Sequence, residues 1–167
     1  AVDQASFLAV MHECLCRKIQ GCKDYPIDLG CLFLGPAAHA CVERGIAHEV
    51  TKEQAHAHID RAKAVGLSAS AYFVEVEEYV WGFHDKDMPN FLEICFCCPC
   101  CCVGLGLARV ATRDIQSRFR SVGWKSSINE ACTGCDVCRE VCPVQAISYN
   151  GTTWVVDETK CLGCGIC

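Results

Sequence analysis

Eighteen of the 167 residues are cysteine, and seven of them recur at a spacing that suits metal chemistry. Cys132-Thr133-Gly134-Cys135-Asp136-Val137-Cys138-Arg139-Glu140-Val141-Cys142-Pro143 reads C-x2-C-x2-C-x3-C-P. Eighteen residues separate Cys142 from the restart of the pattern as Cys161-Leu162-Gly163-Cys164-Gly165-Ile166-Cys167. Thiolates are soft ligands, and three of them set two residues apart wrap a tight loop around one corner of a metal cluster. Gly134, Gly163 and Gly165 allow backbone conformations that larger residues resist and leave room for amide groups beside the sulfurs. Pro143 turns the chain away after the fourth cysteine. Zinc ribbons also use C-x2-C pairs, but as two separated pairs with four ligands in all. Three evenly spaced cysteines, a C-P and a second round do not follow that plan.

The tandem runs resemble the bacterial-type two-cluster ferredoxins, in which each run gives three thiolates to one [4Fe–4S] cube and its fourth cysteine crosses to the other. The resemblance covers residues 132–167 and implies two [4Fe–4S] clusters. It assigns Cys161, Cys164 and Cys167, with Cys142, to one cube. Cys132, Cys135 and Cys138 go to the other, whose fourth ligand is expected a few residues beyond Cys167. The expectation is therefore a chain cut inside its second motif, with a three-ligand [3Fe–4S] site as the competing explanation. Between the runs, 146–149 and 152–156 flank Asn150-Gly151, a strong signal for a two-residue hairpin turn. Its apolar side chains would shield one face of the clusters.

Ten more cysteines lie upstream in two groups: Cys14, Cys16, Cys22 and Cys31, and then Cys95, Cys97, Cys98, Cys100, Cys101 and Cys102. Six thiols in eight residues cannot all bind one ion. The economical expectation is that the two groups converge and hold a metal site of their own, as one or more further iron–sulfur clusters or as zinc. Burial of Cys14 and Cys16 as small hydrophobes is the alternative for that pair. Cys41 stands alone and reads as packing. His12, His39, His48, His56, His58 and His84 lack ligand spacing and read as surface or satisfied core residues.

The elements that must position these groups give an α+β reading. A mostly helical, cysteine-rich domain over 1–125 precedes a small ferredoxin-like domain over 126–167, incomplete at its C-terminal end. Apolar residues at three- and four-residue intervals predict a helix over 3–20. Gly21, Pro26 and Gly30 make 21–36 a loop. Residues 36–66 read as helix in two pieces, the second opened by a Thr51/Gln54 capping box and stopped at Gly66. Residues 72–80 read as a half-buried strand and 103–119 as a helix bearing Arg109 and Arg113, with Arg118 and Arg120 at or just past its end. That basic face is plain solvated surface, a docking site for an acidic partner, or a contact with the negative charge of the clusters. The C-x-C-R loop, the C-C-P-C-C-C run and the two-cluster tail together resemble cysteine-rich dicluster ferredoxin-like proteins of anaerobes. Heterodisulfide-reductase-type subunits also carry adjacent cysteines, but as C-C-G, whereas Pro99 follows Cys97-Cys98 here.

So many cysteines in a secreted chain would suggest a disulfide scaffold. Residues 1–30 show no signal-peptide pattern, and ferredoxin spacing needs reduced thiolates, so a reducing cytoplasm, as in an anaerobe, is expected. No apolar run reaches the length of a membrane span. The formal charge of −5 and the lack of a basic stripe argue against nucleic acid and favour a redox partner with a basic patch. No nucleotide loop, zinc-protease helix or nucleophile elbow is present. The resulting expectation is an electron carrier, or a non-catalytic subunit of a larger oxidoreductase complex, working through [4Fe–4S] clusters. Two alternatives stay open: a reductase subunit whose N-terminal cysteines hold a substrate-active cluster, and a structural zinc or redox-sensing module.

Overall fold

The computed structural model describes residues 1–72, 81–83, 86–116 and 123–167. It divides into two compact units, Ala1–Cys97 and Cys98–Cys167.

The first unit is built on a five-stranded antiparallel sheet rather than on helices. Its strands are β1 (Leu8–Met11), β2 (Leu32–Leu34), β3 (Ala47–Glu49), β4 (Ser68–Tyr72) and β5 (Leu92–Cys97), in the order β3-β1-β2-β5-β4. Among the described residues the α-helices α1 (Leu15–Ile19), α2 (His39–Glu43) and α3 (Lys52–Ala64) accompany them. On one sheet face Ala9, Met11, Phe33 and Ala47 pack with Ala37, Cys41, Phe83 and Phe91. On the other, α3 lies against β1 and β4 and buries Ala55, His58 and Ala62. His58 stands edge-on to Phe96 at 5.0 Å and bonds the Gly30 carbonyl at 2.8 Å.

The expected mostly helical character of residues 1–125 is thus corrected. Residues 3–20 hold a strand and only a short helix, because Leu8–Met11 is a continuous apolar run, buried at every position, as a strand covered on both faces requires. The first piece of the expected 36–66 helix stops early. Gly45, at φ +70°, closes α2 with its N–H on the Val42 carbonyl, and the chain turns back as β3. The second piece forms as read. Thr51 and Gln54 make the reciprocal capping box, and Gly66 follows the helix at φ +79°. Of the strand expected over 72–80, residues 73–80 lie outside the described residues, as do His84, Arg118 and Arg120.

The second unit contains α4 (Val103–Val110), α5 (Arg113–Gln116), α6 (Val137–Val141) and a hairpin of β6 (Ile147–Tyr149) with β7 (Trp154–Val156). The single helix expected from Val103 is interrupted at Ala111, whose ψ of 156° is extended. The hairpin connection has four residues rather than two. Asn150 Oδ1 accepts from the Thr152 and Thr153 amides at 3.0 and 2.9 Å, a side-chain turn that places Tyr149 opposite Trp154. Among the described residues no helix is long and apolar enough to cross a membrane.

Candidate metal centre

The two cysteine runs of the second unit take the same backbone course. Gly134 and Asp136 in the first run have φ of +73° and +68°, and Gly163 and Gly165 in the second have +66° and +77°. Left-handed residues at matching places fold each run back on itself, which is why glycine occupies three of the four. Asp136 is the exception. Its carboxylate takes a two-point ion pair from Arg139, with Nε at 2.6 Å, and that bond holds the carboxyl below the usual carboxylate range. α6 starts directly after Asp136 and carries Cys138.

Cys142, Cys161, Cys164 and Cys167 line one hollow, closed on its apolar side by Pro143, Ile147 and Val156. Polar hydrogens converge on its sulfurs. The Ala146 amide donates to Cys142 Sγ at 3.3 Å and the Ser126 amide to Cys161 Sγ at 3.5 Å, while Ser126 Oγ lies 3.0 Å from Cys167 Sγ. Burial opposes the Cys161 thiolate, but the amides of Ser126 and Gly163 and the nearby Lys125 outweigh it and lower its pKa. Burial and the charges of Cys167, Cys142 and Cys161 raise Cys164. Cys138 is raised by desolvation and by Cys135, Cys167 and Cys132. Mutually repelling thiols around a hollow, with amides aimed at two of them and a hydroxyl beside a third, form the donor set that a thiolate-held iron–sulfur cluster needs.

Residues 127–148 match the family described as a 4Fe-4S binding domain. The C-terminal segment is ferredoxin-like and binds 4Fe–4S clusters. Over 37 residues, 22% of the chain, it is 46% identical to Ferredoxin-3 and 43% identical to Ferredoxin-2 of Chlorobaculum tepidum. Over 66 residues, 38% of its length, the chain is 33% identical to a probable iron-sulfur subunit of the Frd operon of Proteus vulgaris. The chain covers 60% of each ferredoxin and 42% of the Proteus protein, about half the length of these relatives. No solved structure matches it.

Outside the ferredoxin-like segment, the second unit brings the sulfurs of Cys98, Cys100 and Cys101 within 4.8 Å of one another. Cys102 caps α4 by accepting from the Leu105 amide at 3.5 Å. The first unit gathers another set. Cys31 Sγ lies 3.4 Å from Cys95 Sγ, and Cys95 Sγ lies 2.9 Å from Glu93 Oε1. Cys97 is buried beside Cys95. Cys14, the N-cap of α1, is buried and hydrogen-bonded to Cys16. A hydrogen bond from Cys95 favours the Cys31 thiolate, but burial and the Glu93 carboxylate prevail and push Cys31 up to about 12. Cys95 is raised by its bonds to Cys31 and Cys97 and by burial. Cys22 is half-buried on the loop after α1, and Cys41 is fully buried in the core. The described residues include all eighteen cysteines, and no disulfide joins any of them.

Two residues of this region escape the sequence reading. Arg17 is 1% exposed, and its guanidinium donates to the carbonyls of Pro26, Leu29 and Phe96. It ties the loop leading to Cys31 onto β5, one residue from Cys97. Glu93 is 4% exposed and shares a strand face with Cys95 and Cys97. The alternation Glu93-x-Cys95-x-Cys97 was the available signal for Glu93. The arginine directly after Cys16 was the one for Arg17.

Proposed function

We propose that this chain transfers single electrons, as a carrier or as the electron-transfer subunit of a larger redox complex. In this reading Cys142, Cys161, Cys164 and Cys167 hold one [4Fe–4S] cluster, and Cys132, Cys135 and Cys138 supply three ligands of a second. The observation that carries it is the single hollow lined by the four thiols of two separate runs. A thiolate-held cluster supplies one-electron chemistry when bound, and full thiolate ligation leaves no iron position for a substrate. The protein's own groups set the conditions. Ser126 and Ala146 hydrogen-bond the sulfurs and stabilise added negative charge, while Ile147 and Val156 keep water from the apolar side.

The subunit form is supported by the Proteus relative, whose name describes an iron–sulfur subunit. Eighteen cysteines without a disulfide suit a reducing compartment such as the cytoplasm of an anaerobe. The test is anaerobic iron and acid-labile sulfide content. Wild type should carry equal amounts of both, and a Cys142→Ser/Cys161→Ser chain should lose about half. An unchanged content in that variant would remove the proposed ligand assignment.

A further inference from the structure

Cys31, Glu93 and Cys95 form a second constellation, confined to the first unit and unused by the electron-transfer reading. Cys31 immediately precedes β2, which pairs with β5 in the register Leu32↔Ile94. Glu93 and Cys95 stand two apart on β5 and so project from one face. Their two sulfurs and one carboxylate oxygen all lie within 4.8 Å of one another. A tetrahedral ion with metal–sulfur bonds of about 2.3 Å holds its thiolates about 3.8 Å apart. The Cys31–Cys95 separation of 3.4 Å is close to that value. A cube instead spreads its thiolates over separate irons, so this spacing is that of ligands on one ion.

Two further observations point to an occupant. Glu93 is almost fully buried, and among the described residues no lysine, arginine or histidine pairs with it. Buried carboxylates are ordinarily neutralised by a cation or a metal. Ser70 Oγ is also buried and has no hydrogen-bond partner. Ser70 sits directly opposite Cys95 in the β4–β5 register, so the two side chains share a face. An orphaned hydroxyl beside a cluster of ligand atoms calls for a partner of its own.

We propose that Cys31, Cys95 and Glu93 bind a single thiophilic divalent cation of the zinc class, with a water in the fourth position hydrogen-bonded to Ser70 Oγ. Three protein ligands and a water make the arrangement of a reactive zinc rather than a closed structural one. Binding releases the thiol protons. Arg17 is a positioning residue here, because its bonds to Leu29 and Phe96 fix both chain segments that carry the ligands.

The experiment uses the full chain, purified anaerobically, as wild type, Cys31→Ser, Cys95→Ser and Glu93→Gln. Zinc, iron and sulfide are counted, and bound zinc is then exchanged for Co2+ to read the visible bands of a tetrahedral thiolate site. Wild type should hold one zinc or cobalt that both cysteine variants lack, at unchanged iron and sulfide. Glu93→Gln should weaken Co2+ binding about tenfold or more. Ser70→Ala should shift the visible bands without loss of the ion. Retention of the ion in both cysteine variants would overturn the proposal. So would a joint loss of iron and sulfide from them, which would make these residues cluster ligands. If circular dichroism shows either cysteine variant unfolded, the near-isosteric Glu93→Gln decides, and unchanged Co2+ affinity there overturns the proposal.

Discussion

The two units bring thiols together by opposite means. In the ferredoxin-like segment the ligand groups sit on tight loops, and left-handed residues at matching positions shape both runs. In the first unit Cys31 and Cys95 are 64 residues apart and meet because their strands are neighbours in a sheet. A loop site is specified by spacing, so it can be read from a string of letters. A sheet site is specified by register, and any change that loosens the sheet or its staples should scatter it.

That contrast can be broken most forcefully at Arg17. Arg17→Met keeps the length of the side chain but leaves the carbonyls of Pro26, Leu29 and Phe96 without donors. The cost should be about 3–9 kcal/mol, at roughly 1–3 kcal/mol for each of the three carbonyls that lose a donor. Urea unfolding of the first unit would measure it, and the iron content of the second should stay unchanged. Loss of iron in this variant would show that the two regions do not hold their groups independently.

A smaller effect is expected within the loops. A Cβ on Gly165 meets nothing within 4 Å, so Gly165→Ala pays only for its left-handed backbone, about 1–2 kcal/mol. The matching Asp136→Gly should be far milder, because relief of the same backbone offsets the lost ion pair with Arg139. Thermal loss of the cluster absorbance in the two variants gives the ranking. Equal effects would mean the runs are not conformational repeats.

Next comes Ser126. Ser126→Ala removes the hydroxyl beside Cys167 Sγ while leaving its amide on Cys161. Loss of a bond worth about 1 kcal/mol to the reduced form corresponds to about 40 mV for one electron, towards more negative potential. Protein-film voltammetry reads that shift directly.

The smallest effect is a pH dependence in the first unit. Burial lowers the pKa of His58 from its ordinary 6.5, against the bond to the Gly30 carbonyl. A depressed folded pKa means the unfolded chain takes up the proton first. Stability should therefore be complete above about pH 6.5 and decline as pH falls through the folded value. The steepness of that decline should shrink in His58→Gln, measured by urea midpoints between pH 7 and 5.

How much of this was legible follows from the same contrast. The tail motifs and the Thr51 capping box depend on neighbours within a few residues and could be read locally, as could a turn at Asn150, though not its four-residue length. The helix expected over 3–20 could not be separated from a strand by periodicity, because an apolar run such as Phe7–Met11 satisfies both until a sheet claims it. The burial of Glu93 was not legible in the sequence. Only the pairing of β5 with β2 and β4 shows it buried against thiols. The arginine after Cys16 marked the position, but the buried role of Arg17 could not be derived, since its three partners are backbone carbonyls, which any sequence provides.

The central claim is one-electron transfer through clusters held by the C-terminal cysteines. A potentiometric titration followed by electron paramagnetic resonance tests it most directly. Wild type should show reversible one-electron reduction with spectra of [4Fe–4S] clusters, and Cys161→Ser/Cys164→Ser should lose the signal of one of them. Full iron and sulfide content with no reducible signal, or a signal untouched by that double substitution, would contradict the account.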